Sequence, residues 1–234
     1  MVFGAILAGG IGSRMRMEGP PKQFLMLGAK PVFIHSVEVF LSCAAISEVY
    51  LGVHPLWLEH AQDLLMRYAS KPGEVKLAPG GADRSQTLFN VIDMATSSHE
   101  LNEDSIIVTH DAVRPFVTES IILENISHAR QFGACNTVIP AIDTIIESFD
   151  GKETHNVPLR KNMYQVQTPQ SFNIVKLMGL YAQLSDKQKL ELTDACSIFT
   201  YSSEKVALAA GDPMNFKITT ELDYRIAQSL IASV

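Results

Sequence analysis

The chain has 234 residues, enough to bury a full core in one α/β domain, with or without an appendage. Apolar residues make up 47% of it, yet no run of about eighteen could cross a bilayer, which argues against a membrane-inserted protein. A formal charge of −6 disfavours a general nucleic-acid binder, so any phosphate ligand has to be met by a local cluster of cations.

The chain opens on a short apolar run, Met1 to Leu7, without a basic flank, leading into a glycine loop instead of a small-residue cleavage site. It reads as a first strand, and the protein is expected in the cytoplasm. Further β-branched apolar stretches at 49–53, 105–109 and 137–139 predict strands. Between them lie helical stripes: Phe33, Val37, Phe40 and Leu41, with Pro31 suited to the first turn; Leu58, Ala61, Leu65 and Tyr68; and Ile121, Ile122, Ile126 and Ala129. Strand and helix taking turns predicts an α/β fold with a parallel sheet covered by helices on both faces. Ligands on such sheets bind beyond the carboxyl ends of the strands.

The rhythm breaks at about 141–166, where extended pieces flank a polar Asp150-Gly151-Lys152 turn. This predicts a projecting β-hairpin arm, with an ordinary surface hairpin as the alternative. Helices follow at 173–184 and near 193–199, then a strand at 206–209 and a closing helix from 221 onward. The expectation is a single domain over 1–234 with this arm. Cys43, Cys135 and Cys196 are far apart and form no C-x-x-C pair, which predicts packed thiols and neither a disulfide framework nor a zinc site.

The first strand ends in Leu7-Ala8-Gly9-Gly10-Ile11-Gly12-Ser13-Arg14, whose glycines let backbone N–H groups approach anionic oxygens. It matches neither the P-loop nor G-x-G-x-x-G, and a dinucleotide loop or a bare tight turn stays open. The nearby cations Arg14, Arg16 and Lys22 favour phosphate. A second glycine turn, Gly80-Gly81-Ala82-Asp83-Arg84-Ser85-Gln86-Thr87, leads into a helix; its amides and the Ser85 and Thr87 hydroxyls could hold a base or phosphate, or merely cap the helix. The strand at 105–109 runs into His110-Asp111-Ala112-Val113-Arg114-Pro115, which places Asp111 where a magnesium ligand would sit, one carboxylate sufficing beside substrate phosphates. Arg114 is expected to pair with a carboxylate and fix the turn, and His110 is open as a base.

Together, L-A-G-G-x-G-x-R, P-K-Q-F at 21–24, G-G-x-x-R at 80–84, H-D-A-x-R-P at 110–115, T-P-Q-x-F at 168–172, T-D-A at 193–195 and N-x-K-I-T at 215–219 resemble the cytidylyltransferases of the methylerythritol phosphate and ribitol phosphate group. The motifs run in order over nearly the whole chain. The resemblance implies a Rossmann-like, mostly parallel α/β sheet, transfer of the cytidylyl group of CTP to a small polyol phosphate, with pyrophosphate released, Mg2+ as cofactor and a homodimer interlocked through the arm. Leu7, Ala8, Gly9, Gly10 and Gly12, then Gly81, Ala82, Asp83, Arg84, Ser85 and Thr87, and Ala112, stand where the family holds CTP. Arg14, Lys22 and Lys217 match the catalytic cations, and Asp111 the metal ligand. Thr144, Arg160 and Thr193, with Lys217, match contacts to the alcohol phosphate, the first two reaching from the partner's arm.

H-D-A-V-R-P-F, M-Y-Q-x-Q-T-P-Q-S-F and T-D-A-C resemble the ribitol branch, whose product feeds teichoic-acid-type wall polymers, so ribitol 5-phosphate is the expected acceptor and methylerythritol phosphate the alternative. Ala82 and Cys196 depart from the methylerythritol pattern. A nicotinamide oxidoreductase would need an acidic residue where the second strand runs into Val53-His54-Pro55. A nucleotide sensor without catalysis would be expected to lack one of Arg14, Lys22, Asp111 or Lys217, all of which are present.

Overall fold

The structure, a computed structural model, describes residues 1–10, 19–192 and 194–232. Its first half contains β1 (Val2–Ala8), β2 (Met26–Leu27), β3 (Lys30–Pro31), α1 (Val32–Ser42), β4 (Glu48–Val53), α2 (Leu58–Tyr68), β5 (Val75–Pro79) and α3 (Arg84–Ser98). Then come β6 (Ile106–Asp111), α4 (Glu119–Phe132), β7 (Ala134–Pro140), β8 (Tyr164–Asn173), α5 (Ile174–Gln183), α6 (Asp186–Glu191), α7 (Cys196–Tyr201), β9 (Ala207–Ala210) and α8 (Glu221–Ala232).

Seven strands form one sheet in the order β5-β4-β1-β6-β8-β7-β9. Strands β5, β4, β1 and β6 pair in parallel, as do β7 and β9, while β8 runs against both of its neighbours. The sheet is therefore mostly parallel, an α/β fold with flanking helices. Strand β1 reads as an unbroken apolar run because both of its faces are covered. Val2, Ile6 and Ala8 pack in one core with Phe33, Val37, Leu65 and Ile122, whereas Phe3, Ala5 and Leu7 pack in another with Leu88, Ile92, Phe172 and Phe199. Gly4 belongs to the first face, and a Cβ there would lie 2.6 Å from the Phe40 ring, so α1 approaches the sheet too closely for any side chain.

The predicted helices and strands lie where the periodicity placed them, and the short strands β2, β3 and β5 and helix α6 are additions. The edge strand β5 is too short and mixed for its pattern to register. Helix α6 carries a capping box between Ser185 and Gln188, a local signal that could have revealed it.

The arm differs from the expected hairpin. Between β7 and β8 its strand-like pairing is the single bridge Glu147 to Asn156, around a turn in which Asp150 Oδ1 accepts from the Lys152 amide at 2.8 Å. The second extended piece, from Tyr164 onward, is instead β8 in the middle of the main sheet. Its sheet neighbours β6 and β7 give those residues a ladder that the arm itself lacks. Ile142, Phe149 and Leu159 on the arm stay exposed, Phe149 at 78%.

All three cysteines are free and buried. Burial raises each thiol above its ordinary value, Cys135 to about 12, so they are packing residues and not nucleophiles. Among the described residues no helix is long and apolar enough to cross a membrane.

Candidate active site

The carboxyl ends of β5, β4, β1 and β6 lie side by side, and the turns that follow them enclose a cleft of about 570 Å³. Leu7, Ala8, Gly9 and Gly10 line it from β1, Gly81, Ala82, Asp83, Arg84 and Thr87 from the start of α3, and Asp111 and Ala112 from β6. Lys22 and Lys217 complete its walls. The rule that ligands bind at the carboxyl edge of the sheet thus brings together segments far apart in sequence. Gly12, Arg14 and Thr193 lie outside the described residues. Ser85 is half-buried and does not line the cleft.

Asp111 is the electrostatic centre. Its Oδ1 is 3.1 Å from Arg84 Nε, its Oδ2 is 2.9 Å from Lys217 Nζ, and Arg114 Nε stands 3.6 Å from Oδ2. Burial alone would raise the carboxyl pKa, but Arg84, Lys217 and Arg114 together outweigh it and hold the group well below the usual carboxylate range. One anion facing three cations leaves a local excess of positive charge in a chain that is negative as a whole, which suits a polyphosphate.

Lys217 is held from behind. Asn215, fully buried, donates from Nδ2 to the Thr168 carbonyl at 2.8 Å, and its own carbonyl accepts from Arg114 Nη1 at 2.8 Å. The Ile218 amide donates to the Val113 carbonyl at 2.9 Å. Arg114 thus pairs with a carboxylate as expected and also ties the N-x-K-I-T segment to β6.

The second glycine turn uses its groups on itself. Asp83 caps α3 by accepting from the Gln86 amide at 2.8 Å, the Gly81 amide donates to Thr87 Oγ1 at 3.0 Å, and the Ala82 amide donates to Gln86 Oε1 at 2.7 Å. The Thr87 hydroxyl donates in turn to the Asp83 carbonyl at 2.8 Å. Asp83 thus caps α3, and the same turn lines the cleft through Gly81, Ala82, Arg84 and Thr87. A helix start leaves amides that need acceptors, and the Asp83 side chain supplies one to Gln86. The turn also packs on the first loop: a Cβ on Gly9 would lie 2.8 Å from Thr87 Oγ1.

His110 is not a base. It is fully buried, with Nδ1 at 3.0 Å from Thr168 Oγ1 and Nε2 at 3.0 Å from the Arg114 carbonyl. The carbonyl can only accept, so Nε2 carries the proton and Nδ1 accepts from the Thr168 hydroxyl, which itself accepts from the Asp111 amide at 3.1 Å. Burial pushes the imidazole pKa down to about 4. The unfolded chain therefore takes up a proton near pH 6.5 that the folded chain refuses until about pH 4. The associated stability is complete above pH 6.5 and is lost as pH falls through that window, a change of about 3 kcal/mol. Denaturant unfolding at pH 7, 6 and 5 is expected to show this slope in the parent and a shallower one in His110→Gln; parallel profiles would refute the assignment.

The arm residues Thr144 and Arg160 are exposed and not part of this cleft; Arg160 Nη1 donates to the Ile142 carbonyl at 3.0 Å. Gln23, His54 and Val113 line the cleft without having been assigned a site role in the sequence, and Thr168 supports it from behind. His54 follows β4 where a dinucleotide enzyme would need a carboxylate.

The model of the IspD family, 2-C-methyl-D-erythritol 4-phosphate cytidylyltransferase, matches residues 2–233. The chain belongs to this family. It is a CTP-dependent cytidylyltransferase. The crystal structure of 4-diphosphocytidyl-2C-methyl-D-erythritol synthase from Anaerococcus prevotii is 25% identical, with a TM-score of 0.79 over 99% of this chain and 96% of that one. The 2-C-methyl-D-erythritol 4-phosphate cytidylyltransferase of Thermus thermophilus is also 25% identical, with a TM-score of 0.74 and full coverage of both chains. The Francisella tularensis enzyme of that name, at 20% identity, shares the fold with a TM-score of 0.80 over 97% of this chain and 98% of its own.

Members of the family generally depend on a divalent metal. Asp111 is the residue that would hold a magnesium ion here, with Lys217, now on its Oδ2, giving way to the ion. Among the described residues no three carboxylate, histidine or cysteine side chains gather as a full protein cage, but Asp111 on the cleft wall carries two hard anionic oxygens, paired with Arg84 and Lys217. Magnesium binds in this way, through one or two carboxylates together with substrate phosphates and water.

Proposed function

We propose that the accepting alcohol is 2-C-methyl-D-erythritol 4-phosphate and the product 4-diphosphocytidyl-2C-methyl-D-erythritol. What supports this reading is the family match over nearly the whole chain, joined to a cleft in which Asp111 is surrounded by cations. The expected ribitol 5-phosphate is the second reading, favoured by Ala82 and by the Asp194-Ala195-Cys196 sequence. The family match and the related structures weigh toward the first.

The chemistry follows from the residue types. The nucleophile is an oxygen of the alcohol's own phosphate, whose second pKa near 6 leaves it largely ionised at neutral pH. No strong base is needed, in keeping with the sealed His110. This oxygen forms a bond to the α-phosphorus of CTP as the bond from that phosphorus to the bridging oxygen breaks, and pyrophosphate carries the electron pair away. The obstacle is the approach of two anions and the charge that builds on the five-coordinate centre. Lys22, Lys217 and Arg84 on the cleft walls, with Arg14, offset that charge before the reaction begins. Magnesium held by Asp111 would supply further charge neutralisation on the phosphates.

In this reading two copies of the chain pair through their arms, whose exposed Ile142, Phe149 and Leu159 are the apolar surface such pairing would cover. The arm of one copy then brings Thr144 and Arg160 to the alcohol phosphate in the other's cleft, beside Lys217 and Thr193.

Pyrophosphate release is measured with CTP and magnesium against each polyol phosphate in parallel. Release with methylerythritol phosphate alone is the expected result. Release with ribitol phosphate alone keeps the mechanism and replaces the acceptor, and silence with both overturns the acceptor assignment.

A further inference from the structure

We propose that Gln23 is a positioning residue for the CTP loop, holding the Ala8–Gly10 backbone and the Lys22 turn in one rigid unit. The inference rests on CTP being the ligand of this cleft. Gln23 is buried, and its amide nitrogen lies 2.9 Å from the Ala8 carbonyl oxygen and 2.9 Å from the Gly10 carbonyl oxygen. An atom facing two acceptors has to be the donor, so Nε2 stands there and both of its hydrogens are used. A planar trans peptide directs its C=O and the following N–H to opposite sides. With the Ala8 carbonyl drawn onto Gln23, the Gly9 N–H is turned away from it, and Gly9 lines the cleft. The side chain therefore selects which way the loop presents its donors, a choice that glycine by itself leaves open.

The same residue fixes Lys22. Residues Lys22–Phe24 form one 3-10 turn whose far end is anchored by Phe24, buried with ring centroids 5.7 Å from Phe33 and 5.6 Å from Trp57. Between that anchor and the cleft wall, Gln23 joins the turn to the end of β1. The relative placement of the Lys22 stem and the glycine loop is thus set by two hydrogen bonds from one amide.

Gln23→Met keeps the length and removes both donors, and Gln23→Glu sets a carboxylate against two carbonyl oxygens. Titration calorimetry with CTP, well below each variant's unfolding midpoint, is expected to show affinity weakened about tenfold or more. Turnover is expected to fall by up to about a hundredfold, the scale of a small misplacement of reacting groups. The KM for the alcohol phosphate is expected to stay at the parent value. A role confined to stability would lower the midpoint and leave CTP affinity and turnover per folded molecule intact, and that result overturns the proposal. In the nitrogen-15 labelled parent, the Gly9 amide resonance is expected to shift on addition of CTP. A Gly9 amide indifferent to bound CTP overturns the proposal even if neither variant folds. A parent protein that binds no CTP removes the reading of the cleft, and this inference with it; a parent that binds beside variants that bind equally well removes the inference alone.

Discussion

Lys217→Ala is expected to lower kcat by on the order of a hundredfold while the KM for CTP moves only a few-fold. The ammonium lies 2.9 Å from Asp111 Oδ2 on the cleft wall, with over a third of the side chain still open to solvent, so it can pass from the carboxylate to a phosphate without a large desolvation cost. Its contribution is charge that is already in place as negative charge accumulates at the α-phosphorus. That gain is realised mainly in the transition state, which is why it should register in kcat. The substitution should fold, because Asn215 and Ile218 on either side carry the buried contacts. Lys217→Arg, which keeps the charge with a different shape, should recover part of the activity. Steady-state pyrophosphate release at saturating substrates is the measurement, and an alanine variant within a few-fold of the parent would remove Lys217 from the catalytic set.

Asp111→Ala is expected to damage stability and turnover together. The carboxylate faces Arg84, Lys217 and Arg114, and of these Arg114 is nearly buried, with 8% of its surface exposed. Removing one partner of a buried pair leaves the others unbalanced, at a cost of about 3–5 kcal/mol in comparable sites. The exposed parts of Lys217 and Arg84 can turn to water, so the lower end of that range is expected. Turnover should fall more than in Lys217→Ala, because the loss removes the proposed metal ligand and frees the cations to relax from their arrangement. Denaturant unfolding at pH 7 and a turnover assay on the folded protein separate the two effects. A stability loss under about 1 kcal/mol would mean that the three cations do not depend on Asp111 for their placement.

The layered α/β plan was legible in the sequence because it rests on local periodicity. Val2 to Ala8 is apolar at every position but Gly4, and the stripes on α1, α2 and α4 are spaced for one helical face, so strand, helix and covered sheet follow from residues a few positions apart. Asp111 was legible for the same reason: it ends a strand, and the end of a parallel strand is where ligands go. The ordered set of motifs was enough to name the family.

Only the tertiary structure decided which groups meet. Lys217 is 106 positions from Asp111 and Arg84 is 27 away, and no local pattern says that their charges converge on one carboxylate. Nor does periodicity place β8 between β6 and β7, since pairing across the 141–163 segment depends on which edge is left free. The second glycine turn was ambiguous in sequence because capping and ligand binding ask for the same residues; in the fold Asp83 caps α3, through a bond that exists only once the helix has formed, and the turn still lines the cleft. His110 stood beside a functional aspartate and looked available. Its burial against Thr168 and the Arg114 carbonyl is a property of three packed segments, and burial is what removes its basicity. Sequence determined the elements and the residue types at their ends, because both are set by nearest neighbours along the chain; the fold determined which charges share the cleft, because that is set by neighbours in space.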